Sequence, residues 1–210
     1  MALQNRVLPD GRIVADPARG LFTGNRGGAI HDVASRTLLP RRRWASKAWI
    51  TCVTRFRGRH RTIMGPGYTH LFFLDEVTAL AAGHRPCYEC RRADALRFAE
   101  AWRRGHGLDK TPRAGEMDIV LHAERHAVTG QPYEAELSDL PDGAIVGITG
   151  SSAVQEWRAI RGACLLAWSL AGYHAPMVRP RTGSVVLVTP PSIVRVLEAG
   201  YRPVWHQTAL

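Results

Sequence analysis

Hydrophobic and polar positions along the chain follow two periods, and each marks out elements. Residues 49–54 (Trp-Ile-Thr-Cys-Val-Thr) are β-branched and aromatic almost throughout, which predicts a strand. Residues 68–73 are aromatic and apolar and suit a buried strand. Residues 76–82 predict a short helix, with Asp75 as its cap and Gly83 as its end. Residues 94–104 place Ala95, Leu96, Phe98, Ala99 and Trp102 on one helical face, with Gly105 beyond them. Upstream, residues 7–14 read as a hairpin turning at Pro9-Asp10-Gly11, and an extended piece at 21–23 leads into Gly24-Asn25-Arg26-Gly27-Gly28. That glycine-rich run has neither a Walker lysine nor a G-x-G-x-x-G pattern. It reads as a hairpin turn, and no nucleotide cofactor is expected.

Downstream the pattern changes. Residues 117–128 fit both periods: Ile119, Leu121, Ala123 and Arg125 alternate as in a strand, while His122 and His126 share a helical face. The turn signal Thr129-Gly130-Gln131-Pro132 favours a strand paired with 133–137. Further strands are predicted at 144–149, 163–169 and 185–188, and a last helix at 193–199, introduced by Pro190-Pro191 and ended by Gly200. Residues 105–115 are linker-like. The expected fold is α+β: a first part, 1–107, of short strands and two helices, then a mostly β second part, 116–210, forming a small barrel or sandwich closed by its helix. At this length the two can share one core.

Composition adds mainly an asymmetry of charge. Residues 1–113 carry 21 Lys+Arg against 9 Asp+Glu, whereas residues 114–210 carry 7 against 9. Residues 33–74 hold nine basic residues and no acidic one, among them Arg41, Arg42, Arg43, Arg55, Arg57, Arg59 and Arg61. Arginine forks pair with phosphates, and clustered cations release counterions from nucleic acid. Trp44, Trp49 and Phe56 are interleaved with them as surfaces on which bases could stack. The plainer alternative is a solvated basic face. No apolar run approaches the roughly 20 residues that a membrane helix needs. The first residues lack a signal-peptide core, so a reducing, cytoplasmic setting is expected. There a C-x2-C pair more often means metal than disulfide.

Cys87 and Cys90 form such a pair within Arg85-Pro86-Cys87-Tyr88-Glu89-Cys90, a turn that sets two thiolates on one side of a tight loop as tetrahedral zinc requires. The stretch from Ala79 through Gly83-His84-Arg85-Pro86-Cys87 to Cys90-Arg91 resembles the second half of the Ada-type zinc domain of bacterial DNA alkylation-repair proteins. The match covers about residues 73–92, and His84 stands where that family usually has an aromatic. The resemblance implies a zinc site whose second ligand pair lies upstream. Cys52 is the only upstream cysteine, and His60 follows eight positions later, with 26 residues between His60 and Cys87. The proposed ligand set is therefore Cys52, His60, Cys87 and Cys90, with His70 and His84 as rivals for the fourth place. In the plainer reading Cys52 is a small buried hydrophobe and His60 a basic-turn cation.

The expected function is zinc-dependent binding of nucleic acid, DNA before RNA on the resemblance alone, in a repair or DNA-processing role. Arg41, Arg42, Arg43, Arg55, Arg57, Arg59 and Arg61 would contact phosphates, with Arg85, Arg91 and Arg92 beside the knuckle. Two alternatives stand beside it. One is an enzyme acting on nucleic acid: a nuclease, a glycosylase, or a methyl acceptor using Cys52, the role the resemblance assigns to an upstream thiolate. The other is a structural zinc module for protein–protein contact. Cys164, in Gly162-Ala163-Cys164-Leu165-Leu166, reads as core, and His122-Ala123-Glu124-Arg125-His126 is not a metalloprotease motif.

Overall fold

The computed structural model describes residues 2–59, 62–130, 132–149 and 155–209. It is a mixed α and β fold built on two six-stranded sheets. The first half contributes β1 (Gln4–Val7), β2 (Ile13–Ala15), β3 (Phe22–Arg26), β4 (His31–Asp32), β5 (Thr37–Leu38), β6 (Trp49–Val53), β7 (Leu71–Phe73), α1 (Glu76–Ala81), β8 (Arg85–Pro86) and α2 (Arg92–Gly105). The second half contributes α3 (Ala114–Glu124), α4 (His126–Thr129), β9 (Tyr133–Glu136), β10 (Ile145–Thr149), β11 (Gln155–Arg161), β12 (Cys164–Ser169), β13 (Gly172–Val178), β14 (Ser184–Leu187) and α5 (Pro191–Glu198).

The first sheet runs β2-β1-β7-β3-β6-β8 and mixes parallel and antiparallel pairs. Its central strands alternate cleanly. Phe22 and Arg26 of β3, Trp49 and Thr51 of β6, and Leu71 and Phe73 of β7 are buried on one face, where Phe22, Leu71 and Phe73 pack against Ala79 of α1. The opposite face carries Thr23, Asn25, Ile50, Cys52 and Phe72. Gly24 is a packing residue rather than part of a phosphate loop: a Cβ there would meet the Ile50 carbonyl oxygen at 2.1 Å. The turn itself comes after it, at Gly27 with φ +77°.

The second sheet is antiparallel throughout, in the order β13-β12-β11-β10-β14-β9. Its middle strands are buried on both faces. Ile145, Ala159 and Leu166 face α1 and the first sheet, whereas Val146, Ile160 and Leu165 face a second cluster with Val194 of α5. It is not the closed barrel or two-layer sandwich expected, because no pairing joins β13 to β9 among the described residues. The expected strand at 117–128 is also corrected. Those residues form α3 and α4, with Met117 and Leu121 packed against Phe98 and Ala101 of α2 and Ile193 of α5. Burial against two helices outweighed the alternating pattern, since tertiary packing decides such ambiguous windows.

The two halves share a core. Leu8, Leu74, Val77 and Ala81 from the first lie in one apolar cluster with Ile145, Trp168 and Tyr173 from the second. Two buried carboxylates, Asp75 and Glu76, tie the halves together. Asp75 caps α1 by accepting from the Thr78 N–H at 2.9 Å. It also accepts from the Tyr173 hydroxyl at 2.8 Å and the His206 N–H at 3.0 Å. Glu76 accepts from the Tyr201 hydroxyl at 2.7 Å and the Val204 N–H at 2.9 Å. No helix of the described residues is long and apolar enough to cross a membrane.

Unfolding in urea is therefore expected to give one transition for both halves. Asp75→Ala leaves the buried Tyr173 hydroxyl, the Thr78 amide and the His206 amide without their acceptor, a loss of about 3–5 kcal/mol, against about 1–2 kcal/mol for Tyr173→Phe. Two separate transitions, or an Asp75→Ala protein as stable as wild type, would contradict the shared core.

Candidate metal centre

Three cysteines converge at the edge of the first sheet. Cys52 sits on β6, on the face away from the core. The Cys87 pair is brought to it by two residues of parallel pairing, Ile50 with Arg85 and Thr51 with Pro86. The ladder continues through the Cys87 N–H, which donates to the Thr51 carbonyl at 2.9 Å. The chain then turns: the Glu89 N–H points at Cys87 Sγ at 3.4 Å, and the Arg91 N–H donates to the Cys87 carbonyl at 3.0 Å. The sulfurs of Cys52, Cys87 and Cys90 lie within 4.8 Å of one another. A tetrahedral zinc with ~2.3 Å Zn–S bonds would set its sulfurs roughly 3.8 Å apart, so the three thiols can hold a metal ion with small adjustments.

The thiols are electrostatically entangled. Hydrogen bonding from Cys52 and Cys90 pulls Cys87 towards its thiolate, while hydrogen bonds to Cys87 and Cys90, with burial, push Cys52 towards its thiol. Three thiolates this close repel one another, and a divalent cation between them removes that repulsion.

The expected fourth ligand, His60, lies outside the described residues, as does Arg61. His70 is buried and lines the same cavity as the three cysteines. The rival His84 is elsewhere: fully buried on the core face, its ring 4.9 Å from Trp49 and 4.7 Å from Phe73, with Arg26 Nε 3.5 Å from its Nε2. Burial holds its pKa well below the usual histidine range. It packs as a core ring among Trp49, Phe73 and Arg26, away from the cavity that the cysteines line.

A cavity of about 410 Å³ opens against the cysteines, walled by Thr23, Asn25 and Phe72 of the sheet and by Phe56 and Arg59 of the loop that follows β6. Arg59 is paired with Glu89, which sits between the two knuckle cysteines, at 2.7 Å. The guanidinium groups of Arg57 and Arg59 lie 5.0 and 5.6 Å from the Phe56 ring. Arg57 and Gly58 both have positive φ, 50° and 64°, a tight turn that presents these side chains outward.

The basic residues divide into two groups. Arg41, Arg42, Arg43, Arg55, Arg57, Arg59 and Arg92 are exposed. Arg85 and Arg91 are not, and they leave the phosphate-contacting set. Arg85 is 5% exposed and makes a two-pronged pair with Asp118, at 2.9 and 2.7 Å. Arg91 is 4% exposed and pairs with Glu76 and Asp94, each at 2.8 Å. Trp49 also drops out as a stacking surface, being fully buried between the guanidinium groups of Arg26 at 3.9 Å and Arg125 at 4.3 Å.

Arg26 and Arg125 were missed by pattern reading. Arg26 was legible only through the alternation of β3, which puts it on the same face as Phe22. Arg125 is admitted by Gly83, where a Cβ would meet Arg125 Cγ at 2.6 Å. His122 is structural as well: it packs edge-on to Trp44 at 5.1 Å and meets Arg125 Nη1 at 3.3 Å. No protein-family model matches the chain, and no curated protein or solved structure is significantly similar to it.

The purified protein is expected to carry one metal ion per chain by elemental analysis. Cys52→Ser, Cys87→Ser and Cys90→Ser should each lose it or bind it at least about tenfold more weakly, while Cys164→Ser keeps it. A metal content that survives Cys52→Ser would dismantle the three-cysteine centre.

Proposed function

We propose that the protein is a zinc-thiolate protein that binds nucleic acid, DNA more readily than RNA, through the arginine loop beside its metal centre. Three thiolates are a soft donor set that suits zinc in a reducing, cytoplasmic setting. Cys52, Cys87 and Cys90 would hold the ion, with His60 or His70 as the protein's remaining candidates for the fourth place. Zinc bound there would fasten the knuckle to β6 and keep the thiolates nucleophilic at neutral pH. The observation that carries the reading is that the cysteines share one cavity with Phe56 and Arg59 of the loop after β6. Phosphates would pair with Arg55, Arg57 and Arg59, and a base would stack on Phe56. The preference for DNA and the placement in repair or DNA processing rest on the likeness of residues 73–92 to the Ada-type domain.

The cavity also favours a second reading, an enzyme acting on nucleic acid. Three protein ligands beside an open space is the arrangement of catalytic rather than purely structural zinc. Carried over position by position, the resemblance makes Cys52 a methyl acceptor. Its sulfur would attack the methyl carbon of a phosphotriester, forming an S–C bond as the C–O bond breaks, and the phosphodiester would leave with the electron pair. Mass analysis of Cys52 after incubation with methyl-phosphotriester DNA tests this reading, and an unmodified Cys52 removes it.

Anisotropy titrations with single- and double-stranded DNA and with RNA test the leading function. Affinity should fall steeply with salt, and the Arg55→Ala/Arg57→Ala/Arg59→Ala protein should bind at least tenfold more weakly, with a log–log salt slope shallower by about two to three. Arg181→Ala, in the other half, should behave as wild type. The absence of salt-dependent binding to any of the three nucleic acids would refute the proposal.

A further inference from the structure

A second basic concavity lies on the first sheet, and it is not part of the metal centre. It measures about 350 Å³ and sits where the β1–β2 hairpin meets residues 38–43, with Arg12, Arg26, Arg42 and Arg43 in its lining. Thr23 and Asn25 of β3 face the cysteine cavity, whereas Arg26 projects from the opposite face of the same strand and forms the inner wall here.

Arg26 is the unusual member. It is 1% exposed, yet no carboxylate among the described residues forms an ion pair with it. Its guanidinium donates to neutral acceptors: the Gly11 carbonyl at 2.6 Å, and, at long range, the Arg43 carbonyl at 3.4 Å and His84 Nε2 at 3.5 Å. A buried cation without an anionic partner is costly; Arg85 with Asp118 and Arg91 with Glu76 show the usual remedy, whereas Arg26 shares with Arg125, the other guanidinium on Trp49, bonds to neutral acceptors alone. Asp10, the carboxylate that acts on Arg26, is itself paired with Arg12 at 2.6 Å. Burial, with the neighbouring Arg125 and Arg43, holds the Arg26 pKa down to about 9, and Asp10 offsets this only in part. Arg42 and Arg43 are exposed and line its rim. Ile13, Ile30 and Leu39 supply an apolar wall, and the volume exceeds what a bare phosphate fills.

We propose that this concavity binds a phosphate monoester carrying an organic body, with Arg26 as the buried floor and Arg42 and Arg43 as the closing clamp. Fixed arginine forks match the bidentate geometry of a phosphate dianion, and the apolar wall would receive the esterified group. The ligand chemistry has two sources, a free nucleotide-like metabolite or the terminal phosphate of a nucleic acid strand. Arg42 and Arg43 would then serve this site instead of the phosphate backbone near the cysteines.

The test is calorimetry and thermal unfolding of the full chain at constant ionic strength, with inorganic phosphate, a nucleoside 5′-monophosphate, and a short oligonucleotide with or without a 5′-phosphate. The monophosphate should raise the Tm where chloride at equal ionic strength does not. Arg42→Ala/Arg43→Ala, which alters only exposed side chains, should weaken binding at least about tenfold, and Arg26→Lys, which keeps the charge but loses the fork, should weaken it as well. Arg55→Ala/Arg57→Ala/Arg59→Ala should bind the monophosphate as wild type does, which separates this site from the metal-side surface. A stronger effect of the 5′-phosphorylated strand than of its 5′-hydroxyl counterpart assigns the source to nucleic acid ends; equal effects assign it to small molecules, and the site stands in both cases. No stabilisation beyond chloride, or a double variant that binds like wild type, overturns it.

Discussion

The structure depends on two adjacent buried carboxylates. Asp75 and Glu76 sit at the start of a six-residue helix, too short to be stable alone, and each is used several times. Asp75 caps that helix and receives the Tyr173 hydroxyl and the His206 amide from the far end of the chain. Glu76 receives Tyr201 and Val204, and it also pairs with Arg91, the residue directly after Cys90. One dipeptide therefore joins the first sheet, the C-terminal segment and the root of the cysteine knuckle. A buried carboxylate is tolerated only when its lone pairs are filled, and these are filled by the helix's own first turn, by Arg91 and by groups about a hundred residues or more further along the chain. Removing one of those partners would loosen elements distant in the chain.

The metal centre rests on a smaller device. Two residues of parallel pairing between β6 and β8 bring Cys87 beside Cys52, and strand alternation turns Cys52 to the same side as Thr23, Asn25 and Phe72. A slip of one residue in that register would turn Cys52 into the core and separate it from the knuckle. The same alternation explains why the sheet has two chemically different sides. One presents thiols and an aromatic, basic loop. The other buries Trp49 between two guanidinium groups and leads, through Arg26, to an arginine-lined concavity.

Much of the architecture was legible in local pattern. The Asp75 cap, the helix after the knuckle, the C-x2-C turn and the strand holding Cys52 all form close to where their residues predict, because caps, turns and β-branched runs act over a few positions. The helices α3 and α4 were not legible, since residues 117–128 satisfy both periods and only packing against α2 and α5 decides between them. Nor were β11 and β13 foreseen. Their sequences carry charged and small residues that gain strand structure from neighbours already in the sheet.

The sequence by itself determined the charge asymmetry, the pairing of Cys87 with Cys90 and the presence of an arginine-rich stretch with an aromatic inside it. These are properties of residues close together in the chain. Only the tertiary structure decided which arginines face solvent, that His84 belongs to the core, that Cys52 joins the knuckle, and that Arg26 is buried with no ion pair among the described residues. Each depends on which face of a strand a side chain takes and on what another part of the chain places opposite it. Composition carries no record of such pairings, because burial sets the meaning of a charge and long-range packing sets burial.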